Sequence, residues 1–367
     1  MFHLIISCDY ELPAGGHGDV RRHMVTPTGE LLSTCESVGA KLTIMVDIAE
    51  LWAFENPVNA GYATYLGYDP GCAIRQQLHS AVIRGHDVQL HLHPQWLNAV
   101  WFPPKWQLDY SHYRLTDLSQ ADMIDVLRRG RCDLDDLASA NEEYECIGFR
   151  AGNWSTAPSA RFLSALEAAG IRSDTSVFKW GFIEHGAAAF DYRTAHSNVL
   201  PWFADPSDIN RSVPTSAVFE VPIATEYVRG FRLLTVRRLT LALSTMRQDR
   251  EVARATSRSS GAQTSSGWAR KAKNIIGFYP RKLDFCKLSA KGMLSAIKSL
   301  TQQCGTLDRG RPIPLMMIGH SKDLPSVAAL GKVLNVLRDR HKDVCFSSYR
   351  EFVSSYLLYT TNGKSSS

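Results

Sequence analysis

Short, nearly continuous apolar runs recur along the 367-residue chain, and most of them close on a polar or titratable residue. The runs at 2–8, 42–46, 87–92, 145–150, 171–174, 218–224, 314–319 and 344–347 have the length and composition of buried strands. Between them the pattern changes to helical spacing, most clearly over residues 118–140 and 159–169. In the second stretch Phe162, Leu163, Leu166 and Ala169 recur on one face and Gly170 supplies a stop. Strands that alternate with helices predict a parallel α/β fold. Alternation alone is met equally by a doubly wound sheet and by a barrel. No apolar run approaches the ~20 residues needed to span a bilayer.

The ends of these runs carry the candidate chemistry. The first run ends in Asp9-Tyr10-Glu11, two carboxylates that share a strand face and resist ionising together unless a cation is near. The third ends in His91-Leu92-His93, which places two imidazoles on one side just before Pro94. The run through Phe149 delivers Arg150, and the run through Gly319 delivers His320. Titratable groups on the ends of successive strands are the arrangement of barrel enzymes. Two histidines and a carboxylate suit zinc, nickel, cobalt or iron.

Composition narrows the rest. The chain is 44% apolar and needs no staples to build a core. Its eight cysteines are scattered, with no Cys-x-x-Cys pair, and Met1 leads directly into the first strand. A reduced, cytoplasmic setting without a leader peptide is the expectation. Charge is uneven: residues 225–312 hold eighteen Lys or Arg against five Asp or Glu, a net of +13 in a chain of net +5. A Ser/Thr/Gly-rich stretch near 256–267 reads as a loop, and lysines alternate with apolar residues near 287–298. This segment is expected either to pack on the main domain or to meet an anionic membrane surface. No nucleic-acid motif is present. Aromatic residues crowd the stretch after the histidines (Trp96, Trp101, Phe102, Trp106, Tyr110, Tyr113), where they could face a sugar or fill a core. Trp154 and Trp202 are further candidates for pocket walls.

The order acid pair, histidine pair, arginine, histidine resembles the polysaccharide deacetylase (NodB-homology) superfamily from Asp9 to His320. The resemblance implies a distorted, incomplete (β/α)7 barrel formed by 1–224 and 313–358, a basic insertion at 225–312 and a disordered tail at 359–367. It implies Asp9 as catalytic base, oriented by Arg150, with Asp174 from the fourth motif and His320 as general acid. It implies a divalent metal, zinc first, held by Glu11, His91 and His93, with Gln95 the other residue considered for the second histidine's place. Asn153, Trp154 and Trp96 are the substrate-binding residues expected beside them, Asn153 through a backbone N–H that would face an oxyanion. Two motifs depart from the family: its adjacent acids are spaced here as Asp-Tyr-Glu, and its histidines, normally four apart, are two apart. The activity implied is removal of an N-acetyl group from a nucleotide- or lipid-linked sugar. Alternatives are hydrolysis of a non-sugar C–N bond on the same fold, or glycan binding without activity.

Overall fold

The computed structural model describes residues 1–229, 277–305 and 311–363. Two compact units result, Met1–Thr225 with Lys282–Ser367, and Glu226–Arg281. The apolar runs form a ten-stranded sheet. Its strands are β1 (Phe2–Tyr10), β2 (Leu42–Asp47), β3 (Asp87–Leu92), β4 (Gly148–Ala151), β5 (Ser173–Asp174), β6 (Trp202–Asp205), β7 (Asp208–Val213), β8 (Phe219–Glu220), β9 (Ile313–His320) and β10 (Val344–Phe346). The order across the sheet is β7-β6-β8-β5-β4-β3-β2-β1-β9, with β10 also on β1. Only β6 pairs antiparallel, with β7 and with β8. The other pairings are parallel, and β2 and β3 are buried along their whole length, which is why these strands read as unbroken apolar runs rather than alternating ones.

Seven strands (β1, β2, β3, β4, β5, β8 and β9) follow one another around a curl that meets itself. Beyond β8, Ile223 bridges Met316 of β9 in parallel, and Ala224 N donates to the Met316 carbonyl at 3.1 Å. Leu283 N then bonds the Ala224 carbonyl at 2.8 Å, and Ile318 N bonds the Leu283 carbonyl at 2.9 Å. Isolated bridges in place of a full ladder make this an incomplete barrel. Helices pack outside it: α1 (Thr26–Glu36), α2 (Ile48–Glu55), α3 (Gly61–Leu66), α4 (Pro70–Ile83), α5 (Gln120–Leu137), α6 (Ser159–Ala168), α7 (Ala290–Cys304), α8 (Ala328–Arg340) and α9 (Tyr349–Gly363). Several starts are set by side chains that accept a first-turn N–H: Asp47 for α2, Asp69 for α4, Ser119 for α5 and Ser289 for α7.

Two expectations change and one is not reached by the described residues. The separate unit is Glu226–Arg281, narrower than 225–312, because α7 buries Met293, Ala296, Ile297, Leu300 and Cys304 in the barrel's core. Its apolar face is therefore spent on packing and is not free to lie on a membrane. The loop expected near 256–267 lies outside the described residues. The last helix runs to Gly363, so the tail expected from 359 is helical over its first five residues. A two-stranded ribbon, Thr225–Arg229 with Phe278–Lys282, includes the described residues of the second unit from Glu226 to Arg229 and from Phe278 to Arg281, and in it Arg281 Nε bonds Glu226 Oε2 at 3.0 Å. No helix among the described residues is long and apolar enough to cross a membrane.

Candidate active site

Parallel pairing lines up the strand ends. Asp9 on β1 is in register with His320 on β9, Asp47 on β2 with His91 on β3, and His91 with Arg150 on β4. These side chains leave the C-terminal rim of the barrel together, the side on which barrel enzymes place their chemistry.

Asp9 is buried and its Oδ1 takes a charge-assisted bond from Arg150 Nη1 at 2.5 Å. Arg150 is itself wholly buried, and it also donates to Ser7 Oγ at 2.9 Å and to the Thr175 carbonyl at 3.2 Å. The second Asp9 oxygen lies 3.4 Å from His320 Nε2. Burial pushes the Asp9 carboxyl upward, but Arg150, His320 and His91 outweigh it and hold the group below its ordinary range. Burial lowers His320, against the pull of Asp9 and Glu11.

Glu11 is the centre of a second set. Its Oε2 is 2.9 Å from His93 Nε2 and 3.7 Å from His91 Nε2, and its Oε1 is 2.8 Å from Lys322 Nζ. Burial opposes ionisation, yet Lys322, His93 and His91 hold Glu11 well below the usual carboxylate range. His91 spends Nδ1 on the Arg150 carbonyl at 2.8 Å, which fixes the ring and aims Nε2 at Glu11. That Nε2 is buried without a hydrogen-bond partner, since 3.7 Å to Glu11 is too long for one. His93 turns Nε2 to Glu11 and Nδ1 to Gln95 Nε2, 3.1 Å away. Gln95 thus stands behind the ring, holding it, on the side away from Glu11.

One donor atom from each of Glu11, His91 and His93 lies within 4.8 Å of the other two. Tetrahedral ligation at ~2.1 Å separates donors by ~3.4 Å. The observed 2.9 and 3.7 Å bracket that value. The orphaned His91 nitrogen, the ionised carboxylate and the spacing all fit a divalent cation. Asp9, Glu11 and His320 form an overlapping set within the same limit.

The remaining expected residues divide. Asn153 and Trp154 adopt left-handed backbone at φ 56 and 61, a strained pair of the kind that collects at functional sites. The turn brings the Asn153 amide to 3.4 Å from His93 Nδ1 and sets the Trp154 ring edge-on to His320, centroids 6.1 Å apart. Gly152 before them permits the approach, because a Cβ there would meet the Leu92 carbonyl at 2.6 Å. Asp174 lies one step away from this cluster. Its oxygens accept from Ser176 N and Oγ, at 2.9 and 2.8 Å, and it shares a buried pair with Glu220. Arg150 reaches it only as a nearby charge, so it is a supporting group and not one in contact with the reacting atoms.

Trp96 is corrected. It is 5% exposed and sits in an aromatic cluster with Phe54 and Trp106, at 5.7 and 5.2 Å between ring centroids. The cluster continues through Tyr62 and Trp101, so these rings brace the loop that follows β3. Trp202 is likewise core, its Nε1 bound to the Ile209 carbonyl at 2.9 Å.

Sequence reasoning passed over Lys322, Asp47, Glu50 and Lys282. Asp47 ends a buried strand as Asp9 does, and its Oδ1 takes the His93 backbone N–H at 3.2 Å. Glu50, a turn later on α2, takes the Leu12 N–H at 3.0 Å and so holds the segment carrying Glu11. Burial raises both acids, Glu50 strongly, with Asp47 and Glu11 adding to its shift.

No family model and no curated protein matches the chain. Among solved structures it is similar to a putative polysaccharide deacetylase from Mycobacterium smegmatis, with TM-score 0.48 and 11% identity over 98% of this chain and 91% of that one. It is similar to a probable polysaccharide deacetylase from Pseudomonas aeruginosa PAO1, with TM-score 0.47 and 13% identity over 97% of this chain and 90% of the other. It is also similar to Puue allantoinase, with TM-score 0.46 and 12% identity over 95% and 87%. Each likeness is one of fold, and the chemistry of the site rests on its own residues.

Proposed function

We propose that this chain is a metal-dependent hydrolase of C–N bonds that removes an N-acetyl group from a sugar carried on a nucleotide or lipid. The observation that supports this most is the pairing of two sets on one rim: Glu11, His91 and His93 around an orphaned imidazole nitrogen, and Asp9 held between Arg150 and His320. A divalent cation, zinc first, held by Glu11, His91 and His93 would supply Lewis acidity toward the amide carbonyl and acidify the attacking water. Asp9, kept ionised and oriented by Arg150, accepts the proton of that water as its oxygen bonds the carbonyl carbon. His320, 3.4 Å from Asp9, passes a proton to the amine as the C–N bond breaks, leaving acetate and the free amino sugar. Lys322 keeps Glu11 ionised, and the turn at Asn153 offers backbone donors toward the developing oxyanion.

A second reading, hydrolysis of a non-sugar C–N bond, gains from the burial of Trp96, Trp101 and Trp106, which leaves only Phe102, Tyr110 and Tyr113 of the aromatic stretch exposed or half-buried. The test is elemental analysis of the purified protein, followed by assay of acetate and amine release over N-acetylated sugar nucleotides, lipid-linked sugars and cyclic ureides. Stoichiometric metal with acetate release supports the deacetylase. Amine release from ureides alone selects the second reading. A protein that binds no divalent metal and releases neither product overturns both and leaves glycan binding.

A further inference from the structure

The wall of the site carries a cation that the chemistry above does not use. Lys282 ends the ribbon arm Phe278–Lys282, and its Nζ stands 3.8 Å from the centroid of the Trp154 ring and 4.5 Å from that of Phe178. The same Trp154 ring stands edge-on to His320, and the Arg150 guanidinium carbon lies 5.6 Å from its centroid. One indole therefore neighbours both Lys282 and the groups that surround Asp9.

The lysine has no carboxylate of its own. Among the described residues no Asp or Glu lies within ion-pair distance of its Nζ, and the nearby Asp284 is paired instead with Lys287 at 3.3 Å. Two aromatic faces are a weak substitute for a counter-charge on a half-buried ammonium. Burial, with Lys287 beside it, brings the ammonium down to about 7; Asp284 and Asp9 oppose the fall and Arg150 adds to it. The side chain is thus a half-buried amine beside the rim, without a carboxylate partner among the described residues, and an anion brought next to it would favour its charged form.

We propose that Lys282 receives an anionic group of the substrate, a phosphate or a carboxylate, so that the chain acts on N-acylated sugars that bear a negative charge close to the amide. This rests on the reading of the rim as a hydrolase of acylated sugars, and it adds the substrate class. Lys282 sets specificity and takes no part in bond making. The Trp154 ring, in contact with both Lys282 and His320, couples the position of the anion to that of the scissile group.

The test uses the full chain and three probes: N-acetylglucosamine 1-phosphate, N-acetylmuramic acid with its carboxylate, and neutral N-acetylglucosamine. Calorimetric titration should show at least one anionic probe binding ~10-fold or more tightly than the neutral sugar, about the worth of one charge-assisted contact. Lys282→Met should remove that preference and leave neutral-sugar binding unchanged. Lys282→Arg should keep most of it, which separates loss of charge from loss of fold. Inorganic phosphate should also slow acylation of Lys282 by an amine-reactive reagent, read by mass spectrometry. The ratio between the two anionic probes identifies phosphate or carboxylate as the partner. Equal affinity for charged and neutral probes, or an unchanged preference in Lys282→Met, overturns the assignment. Charge-dependent binding without acetate release keeps Lys282 and removes the hydrolase, whereas acetate release blind to charge removes Lys282 alone.

Discussion

Replacing Arg150 with Met tests the electrostatics on which the site depends. The guanidinium is wholly buried and makes three bonds, to Asp9, Ser7 and the Thr175 carbonyl. Methionine fills much of the same volume, so the packing loss is small. The dominant loss is electrostatic, because Asp9 stays buried without its strongest partner. Breaking a buried pair by removing one member costs ~3–5 kcal/mol. The pH dependence identifies the cause. In the native chain Arg150 helps hold Asp9 below its ordinary range, so the carboxylate contributes stability that is present above the unfolded value of ~3.9 and lost as pH falls. With Arg150 gone the burial contribution is less opposed and the Asp9 pKa rises, so the variant loses stability as pH climbs through the new value. The penalty should then be largest at about pH 7.5 and small at about pH 4.5, where Asp9 carries a proton. Urea unfolding of both proteins at the two pH values measures it. Adding Asp9→Asn to the variant should restore most of the loss at the higher pH, since no charge remains buried. A cost below ~1 kcal/mol, an equal cost at both pH values, or no rescue by Asp9→Asn refutes the reasoning.

Other predictions concern the metal, the reaction, a buried acid pair and the basic unit. His91→Ala should leave the purified, folded protein with little bound divalent metal by elemental analysis; full occupancy would remove His91 from the ligand set. Asp9→Asn and His320→Ala should each cut acetate release by ~10²–10⁴ while metal content stays, and the double variant should lose far less than the product of the two. In the Asp174–Glu220 pair burial raises Asp174 to about 6 and Glu220 well above its usual range, so stability should fall as pH rises through these values. Glu220→Gln, whose carbonyl can still take the Val177 N–H, should flatten that fall between about pH 5 and about pH 8 in urea titrations; an unchanged slope would clear the pair. Residues 226–281 hold twelve Lys or Arg against three Asp or Glu, so the chain should bind anionic vesicles in a steeply salt-dependent way in cosedimentation. No binding at low salt would exclude an anionic membrane surface as the partner of this unit.

The strand ends were legible because their signal is local. A buried parallel strand writes itself as a continuous apolar run, and the residue that ends it points where the rim is, so Asp9, Glu11, His91, His93, Arg150 and His320 could be named before any pairing was known. Strand existence carried over better than strand limits: the run read at 145–150 became Gly148–Ala151, and 218–224 became Phe219–Glu220 with a lone bridge at Ile223. What was not legible depended on partners far away in the chain. Trp96 is a core residue because α2 brings Phe54 and α3 brings Tyr62 into its cluster, and nothing near residue 96 announces either. That His93 rather than Gln95 faces Glu11 depends on a contact with a residue some eighty positions earlier in the chain.

The amino-acid sequence by itself determined the alternation of strand and helix, the chemistry at the strand ends and the uneven charge, since each follows from neighbours within a few positions. Only the tertiary structure decided that the curl meets itself at Ile223 and Met316, that Lys322 sits on Glu11, and that Lys282 rests on Trp154 without a counter-charge. Burial and Coulomb interaction depend on distance in space, and the sequence orders residues along only one dimension.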